Sequence, residues 1–130
     1  MAKLLLAEDD EFSRDMLTRR LQKLGFEVIT AADGREALRA VRQNRPDLIL
    51  MDLDMPVLDG YAAMRSLKTD PRTAKIPIIV LTAHASPESV AEAVEAGCHS
   101  YEAKPVVVRR LVERIQEVLG PAAPESETPG

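Results

Sequence analysis

The stretch Leu48-Ile49-Leu50-Met51-Asp52 is the most apolar run in the chain, and it ends in a carboxylate. An uninterrupted apolar run of this length is typical of a strand that is covered on both faces of a parallel sheet. Open α/β sheets place their chemistry just beyond the carboxyl ends of such strands. Asp52 therefore marks the edge of the predicted sheet at which functional side chains are expected.

Three further runs with the character of buried strands also lead into polar side chains. These are the acid pair Glu8 and Asp9 after residues 3–7, Thr82 after residues 76–81, and Lys104 after residues 100–103. Because parallel strands end at one edge of a sheet, these groups are expected to lie near Asp52. An acid cluster with a hydroxyl and an amine suits a divalent cation and a phosphoryl group.

Five apolar runs alternate with five helical patterns along the chain. The predicted strands cover residues 3–8, 26–30, 47–52, 76–81 and 99–103. Helices are predicted over residues 11–24, from Asp33, around residues 61–67, from Ser86, and over residues 108–119. This alternation predicts an α/β fold with a parallel, doubly wound sheet and right-handed crossovers.

Local signals mark helix ends and buried faces. Asp33 with Glu36 three residues later is a capping-box pattern, and Ser86-Pro87 is a cap followed by proline at the first helical position. The predicted inner faces include Leu17, Leu21 and Leu24 in the first helix, and Val90, Ala93 and Val94 in the fourth.

Composition excludes several classes of protein. The 130 residues suffice for one core, and the net charge of −4 argues against nucleic-acid binding by bulk charge. A single cysteine, Cys98, cannot form an internal disulfide, which favours a reducing, cytoplasmic compartment. No run approaches the roughly 20 apolar residues of a membrane span. Residues 121–130, with three prolines and no periodicity, are predicted to be a disordered tail or a truncated linker after a domain of residues 1–120.

The acid cluster predicts a metal site. If the first and third strands are neighbours, Glu8, Asp9 and Asp52 lie side by side, and like charges about 4 Å apart repel by roughly 4 kcal/mol at an effective dielectric of 20. A cation relieves this repulsion, and a few oxygen ligands on rigid strand ends favour Mg²⁺ or Mn²⁺. The alternative for Asp9 is an ordinary acidic residue at a helix start.

Asp52 is the candidate nucleophile, since a carboxylate can attack phosphorus to give an aspartyl phosphate. The transferred group spreads negative charge over three oxygens, so the site must supply cations and hydrogen-bond donors. Lys104 and the Thr82 hydroxyl are the candidates. The alternatives are a plain surface lysine and an ordinary strand threonine.

A family resemblance rests on four segments. They are Ala7-Glu8-Asp9-Asp10, residues 47–60 ending in Asp59-Gly60, residues 77–83 ending in Leu81-Thr82-Ala83, and residues 96–105 ending in Lys104-Pro105. In these residues, and over about residues 3–119, the chain resembles the CheY-like receiver domains of two-component response regulators.

The resemblance implies a flavodoxin-like (βα)5 fold with strand order 2-1-3-4-5. It implies Asp52 as phosphoacceptor, Thr82 and Lys104 as groups that hold the phosphoryl oxygens, and Thr82 with Tyr101 as a switch pair. The implied metal ligands for Mg²⁺ or Mn²⁺ are Glu8 through water, Asp9, Asp52 and the main-chain carbonyl of Asp54.

The resemblance further implies a signalling receiver that catalyses only its own phosphorylation and dephosphorylation. The implied donor is a sensor histidine kinase or a histidine phosphotransfer protein, and the implied target is a protein effector. That effector would be reached through the face of the fourth helix, fifth strand and fifth helix. No membrane contact and no direct nucleic-acid contact of this domain are expected.

Two alternative functions share parts of the pattern. Leu50-Met51-Asp52-Leu53-Asp54 matches the nucleophile motif of haloacid-dehalogenase-type phosphatases, but their metal-binding acids come late in the chain, whereas here the acid pair precedes Asp52. A non-phosphorylated binding module on the receiver fold is the second alternative. The intact set of Asp9, Asp52, Thr82 and Lys104 speaks against it.

Overall fold

The computed structural model describes residues 2–55 and 58–120. Within them the strands are β1 (Lys3–Ala7), β2 (Glu27–Ala31), β3 (Leu48–Asp52), β4 (Ile78–Thr82) and β5 (Ser100–Ala103). The helices are α1 (Glu11–Lys23), α2 (Gly34–Asn44), α3 (Gly60–Thr69), α4 (Pro87–Ala96) and α5 (Val108–Leu119). Strands and helices alternate as the sequence predicts, and each boundary lies close to its predicted position.

The five strands form one parallel sheet in the order β2-β1-β3-β4-β5. The predicted α/β fold and strand order are therefore confirmed. β3 lies at the centre, and all five of its residues are buried, as the unbroken apolar run predicts. The same holds for β4, which pairs with it.

Helices cover both faces of the sheet and enclose two apolar cores. On one face α2, α3 and α4 pack over alternate strand residues that include Leu5, Ile49 and Val80. On the other face α1 and α5 pack over the intervening residues, which include Leu6, Leu50 and Leu81. Both faces of the central strands are thus covered, and their polar residues lie at the carboxyl edge of the sheet, where Asp52 and Thr82 are themselves buried.

The predicted caps are observed, with one variation. The Asp33 carboxylate accepts a hydrogen bond from the N–H of Glu36 at 2.8 Å, and the Ser86 hydroxyl oxygen accepts one from the N–H of Ser89 at 3.2 Å. The Glu36 carboxylate accepts from the N–H of Ala32, one residue before the cap. The reciprocal pattern therefore reaches one residue further back than in a standard capping box.

For two residues, the predicted position on the buried face of a helix is wrong. Val94 is 57% exposed, because α4 packs through Ala93 and Ala96, three residues apart, and Val94 lies one residue off this face. Leu24 is 48% exposed, because α1 ends at Lys23 and Gly25 turns the chain at φ 98° before another helical turn is completed. Small residues allow α4 to approach the sheet more closely than valine would.

Some predictions concern residues outside the described part of the chain. The predicted tail or linker, residues 121–130, lies outside the described residues, as do residues 56–57 of the segment 47–60 that carries the family resemblance. Among the described helices, none has the length and apolar character needed to cross a membrane.

Candidate functional site

The sheet register brings the polar strand ends to one level. Ala7 of β1 pairs with Met51 of β3, so Glu8 is the residue level with Asp52. Thr82 of β4 pairs with Ala103 of β5, so Lys104 follows directly beyond it. Because β1, β3, β4 and β5 are consecutive neighbours in a parallel sheet, these side chains meet at its carboxyl edge.

Three carboxylates converge at this edge. Glu8, Asp9 and Asp52 each offer an oxygen, and the three oxygens lie within 4.8 Å of one another. Glu8 and Asp52 are buried, at 4% and 1% exposure, whereas Asp9 is exposed. Such oxygens, fixed at strand ends, are the ligands that Mg²⁺ or Mn²⁺ prefers. The residues therefore fit the predicted divalent cation.

Lys104 links two of these carboxylates. Its Nζ lies 3.1 Å from Oε1 of Glu8 and 3.1 Å from Oδ2 of Asp52. Its backbone N–H donates to the carbonyl of Thr82 at 2.7 Å, and its peptide bond to Pro105 is cis. Three carboxylates with one ammonium leave an excess of negative charge that a divalent cation matches.

The electrostatics follow from this crowding. Burial raises the pKa of the Glu8 carboxyl, as does the charge of Asp52, and the N–H of Asp10 and the Lys104 ammonium only partly oppose that rise. Burial by itself lowers the pKa of Lys104, but the charges of Asp52 and Glu8 and their hydrogen bonds more than offset it, so the net direction is upward. Lys104 thus stays charged, whereas ionisation of the Glu8 carboxyl is disfavoured by its burial and by the charge of Asp52.

Asp52 and Asp54 are joined through the backbone. The N–H of Asp54 donates to Oδ1 of Asp52 at 3.1 Å, and the Asp54 side chain is exposed. Asp54 is not among the three clustered carboxylates. Its predicted role as a metal ligand concerns its main-chain carbonyl and stays a prediction.

The loop after Asp52 is held by a close approach of backbone. A Cβ added to Gly60 would lie 2.5 Å from the carbonyl oxygen of Asp52 and 2.7 Å from Cα of Leu53. The N–H of Gly60 donates to the carbonyl of Leu53 at 3.1 Å, and the Asp59 carboxylate caps α3. Glycine is thus required here by space, and α3 starts directly beneath the phosphoacceptor candidate.

Thr82 and Tyr101, the predicted switch pair, lie on the adjacent strands β4 and β5. Thr82 is buried, and its Oγ1 accepts a hydrogen bond from the backbone N–H of His84 at 2.9 Å, which ties it to the loop before α4. Tyr101 is half-buried against the core on the α4 side of the sheet. The structure places the pair on adjacent strands, and their switching role stays a prediction.

A crevice of about 140 Å³ adjoins the acid cluster. Its wall is formed by Glu8 and Lys104 and by side chains of α1 and the β5–α5 loop, namely Ser13, Met16, Leu17, Pro105 and Val106. Phe12, one turn before Met16, is 74% exposed. An apolar rim therefore lies next to the charged pocket.

Two features were missed at the sequence level. The Arg14 side chain of α1 reaches back to the carbonyl oxygens of Glu8 and Asp9, and an arginine one turn into the helix after the acid pair is the only sequence signal for it. Glu102 of β5 is buried and paired with Arg114 of α5. An acid inside a predicted strand is the sequence signal for Glu102, and nothing in the pattern of the fifth helix identifies Arg114 as its partner.

Glu8→Gln is expected to stabilise the protein in the absence of metal. Because the folded-state pKa of Glu8 is raised above its ordinary value, its favourable contribution exists at low pH and is lost as pH rises through the folded-state pKa. The gain should be about 1 kcal/mol at neutral pH, a fraction of the roughly 4 kcal/mol between unit charges 4 Å apart. Thermal melts in EDTA from pH 4 to pH 8 measure it. A gain that is largest at the acid end would contradict the assignment.

Comparison with known proteins yields one family. Residues 4–116 match the response regulator receiver domain family. The transcriptional regulatory protein PrrA of Mycobacterium tuberculosis is 41% identical over 120 residues, which are 90% of this chain and 49% of PrrA. The polar-differentiation response regulator DivK of Brucella anthropi is 35% identical over 119 residues, which are 92% of this chain and 97% of DivK.

Solved structures share the fold. Chemotaxis protein CheY4 of Vibrio cholerae is similar with a TM-score of 0.86 and 36% identity, over 91% of this chain and 98% of that one. The receiver domain of sensor histidine kinase PA1611 from Pseudomonas aeruginosa is similar with a TM-score of 0.85 and 36% identity, over 92% and 98% of the two chains. That structure has a magnesium ion coordinated in its active site cleft.

The relatives differ in length. The chain spans about half of PrrA but nearly all of DivK. The two alternatives weighed at the sequence level, a phosphatase and a non-phosphorylated module, receive no support from the family match.

Proposed function

This chain belongs to the response regulator receiver domain family, and on that premise we propose that it accepts a phosphoryl group on Asp52. The observation that carries the proposal is the Lys104 ammonium, which bridges Glu8 and Asp52 at 3.1 Å each. A half-buried cation at that point can stabilise negative charge that arrives on Asp52. The family acts in signalling, and the self-catalysed chemistry below is part of the proposal.

The transfer is a displacement at phosphorus. A carboxylate oxygen of Asp52 forms the new O–P bond while the N–P bond of a donor phosphohistidine breaks, and the electron pair of that bond stays on the imidazole nitrogen. The negative charge on the phosphoryl oxygens needs fixed donors at the strand ends. Lys104 supplies an ammonium there, and Thr82 supplies a hydroxyl whose O–H can donate while its oxygen accepts from the N–H of His84.

Glu8, Asp9 and Asp52 would hold a divalent cation, with Asp9 and Asp52 as direct ligands, Glu8 through water, and the Asp54 carbonyl as a further ligand. Their mutual proximity within 4.8 Å supports this, as does the magnesium seen in the PA1611 receiver. When bound, Mg²⁺ neutralises charge on the transferred group. Metal at ten times its Kd stabilises a fold by about 1.4 kcal/mol, which gives a measurable rise in Tm.

The donor is a sensor histidine kinase or a histidine phosphotransfer protein. The apolar rim beside the pocket supports docking of a helix there, since Phe12 and Met16 are exposed one turn apart on α1. Val106 on the β5–α5 loop lines the same crevice. A partner helix across this rim would bring its phosphohistidine to Asp52.

The output is a change of the surface formed by α4, β5 and α5, which a protein effector reads. Thr82 is tied to the loop before α4, and Tyr101 lies on β5 between the site and that surface. Phosphorylation would shift a two-state equilibrium of these elements.

Residues 1–120 would form the receiver, and the protein would act in the cytoplasm.

The proposal is tested with a small phosphoryl donor. In the presence of Mg²⁺, acetyl phosphate should add one phosphoryl group per chain, observed by intact-protein mass spectrometry, and EDTA should prevent it. Hydrolysis of p-nitrophenyl phosphate should stay at background, because a receiver does not turn over phosphomonoesters. Multiple turnover of that compound would instead favour the phosphatase alternative, and labelling that survives EDTA would remove the metal from the proposal.

A further inference from the structure

The loop that carries the acid pair is tied to the first turn of α1. The N–H of Asp10 donates to Oε2 of Glu8 at 3.1 Å, and Oδ2 of Asp10 accepts from the N–H of Ser13 at 2.8 Å. These contacts fix residue 10 and the Glu8 side chain. They do not involve the main-chain carbonyls of Glu8 and Asp9, which lie between β1 and α1.

Arg14 provides that hold. Its guanidinium Nη1 donates to the carbonyl oxygen of Glu8 at 2.9 Å and approaches that of Asp9 at 3.4 Å. One planar group thus binds two successive carbonyls from the same side, which fixes the orientation of both peptide planes. The direction in which the exposed Asp9 carboxylate leaves the backbone depends on those planes.

We infer that Arg14 is a positioning residue for the metal-binding acids, so that its loss weakens divalent-cation binding although it removes a positive charge. The inference rests on the proposed metal site of the preceding subsection. It runs against simple electrostatics, because a cationic side chain near a cation site lowers affinity through repulsion. The sign of the effect therefore separates positioning from charge alone.

The experiment measures Mg²⁺ affinity of the full chain by calorimetry at fixed ionic strength. Arg14→Met keeps the apolar stem and loses both contacts, and its Kd should rise about 10-fold, as for other groups that orient metal ligands. Arg14→Lys keeps the charge and one donor and should recover part of that loss. Arg20→Met removes the same charge from an exposed position of the same helix, and it should leave Kd near the wild-type value.

A metal-free readout accompanies the titration. In EDTA, the Tm of Arg14→Met should stay close to the wild-type value, while amide hydrogen exchange at Asp10 and Ser13 becomes faster. Mg²⁺ binding by Arg14→Met that is equal to or tighter than wild type would overturn the inference and leave the proposed function intact. If Arg14→Met does not fold, a Kd of Arg14→Lys equal to wild type overturns it. Absence of Mg²⁺ binding by the wild-type chain would instead overturn the metal site itself.

Discussion

Asp52→Asn is expected to reduce phosphoryl incorporation from acetyl phosphate to background while the fold stays intact. An amide has almost the shape of a carboxylate but cannot form the acyl phosphate, so the loss should be complete. The substitution also removes one of three crowded negative charges, which lowers repulsion in the cluster. Lys104 keeps its contact with Glu8 in the variant, so its half-buried ammonium is not left unpaired. The measurement is intact-protein mass after reaction with the donor and Mg²⁺, together with a thermal melt.

The control is Asp47→Asn. Asp47 is exposed, immediately precedes β3, and accepts a hydrogen bond from the backbone N–H of Lys3 at the opposite edge of the sheet. Asp47→Asn therefore makes the same acid-to-amide change just before the first residue of β3, at the end of the strand opposite to the carboxylate cluster. Labelling of Asp47→Asn should equal that of wild type. Full labelling of Asp52→Asn would move the acceptor to another carboxylate, with Asp9 the first candidate for peptide mapping.

The centre of the sheet could be predicted from the sequence because β1, β3 and β4 are buried on both faces. The run from Leu48 to Met51 has no polar interruption, and this pattern fits a parallel strand better than a surface element. Helix caps at Asp33 and Ser86 mark where the chain leaves each loop. Strand ends then carry their polar residues to one edge, whatever the details of packing.

The proximity of the clustered acids and Lys104 was predictable for the same reason. Each lies at the carboxyl end of a strand or within two residues of it, so the sheet register largely sets its position along the strand direction. The roles of these residues in phosphoryl transfer and switching stay predictions. The sheet places Lys104 in contact with Asp52, and the substitutions described here test whether Asp52 accepts the phosphoryl group.

Contacts made by long side chains could not be predicted from the sequence. Arg14 bends back toward the loop before its own helix, and nothing in a periodic pattern shows which way a flexible arginine turns. Arg114 lies twelve residues after Glu102 in a helix with mixed charge, and such charge is mostly solvated surface. Only the three-dimensional packing of α5 on β5 shows that the acid is buried and that this arginine covers it.

The pair of Glu102 and Arg114 leads to a second large effect. Arg114→Met keeps the apolar stem of the side chain but leaves the Glu102 carboxylate, which is 3% exposed, without its cation. Removing one partner of a buried ion pair costs about 3–5 kcal/mol, and the lower end applies because 38% of the Arg114 side chain is exposed. Chemical denaturation at neutral pH should therefore show a loss of about 3 kcal/mol in the free energy of unfolding.

Two further variants separate the effect of the unpaired charge from the effect of lost packing. The double variant Glu102→Leu with Arg114→Met should recover most of the loss at neutral pH, because well-packed apolar residues can replace a buried ion pair. Arg110→Met, an exposed arginine one turn earlier, should change stability by less than about 0.5 kcal/mol. If Arg114→Met were equally harmless at neutral pH, the pair would be a surface contact and Glu102 would be solvated.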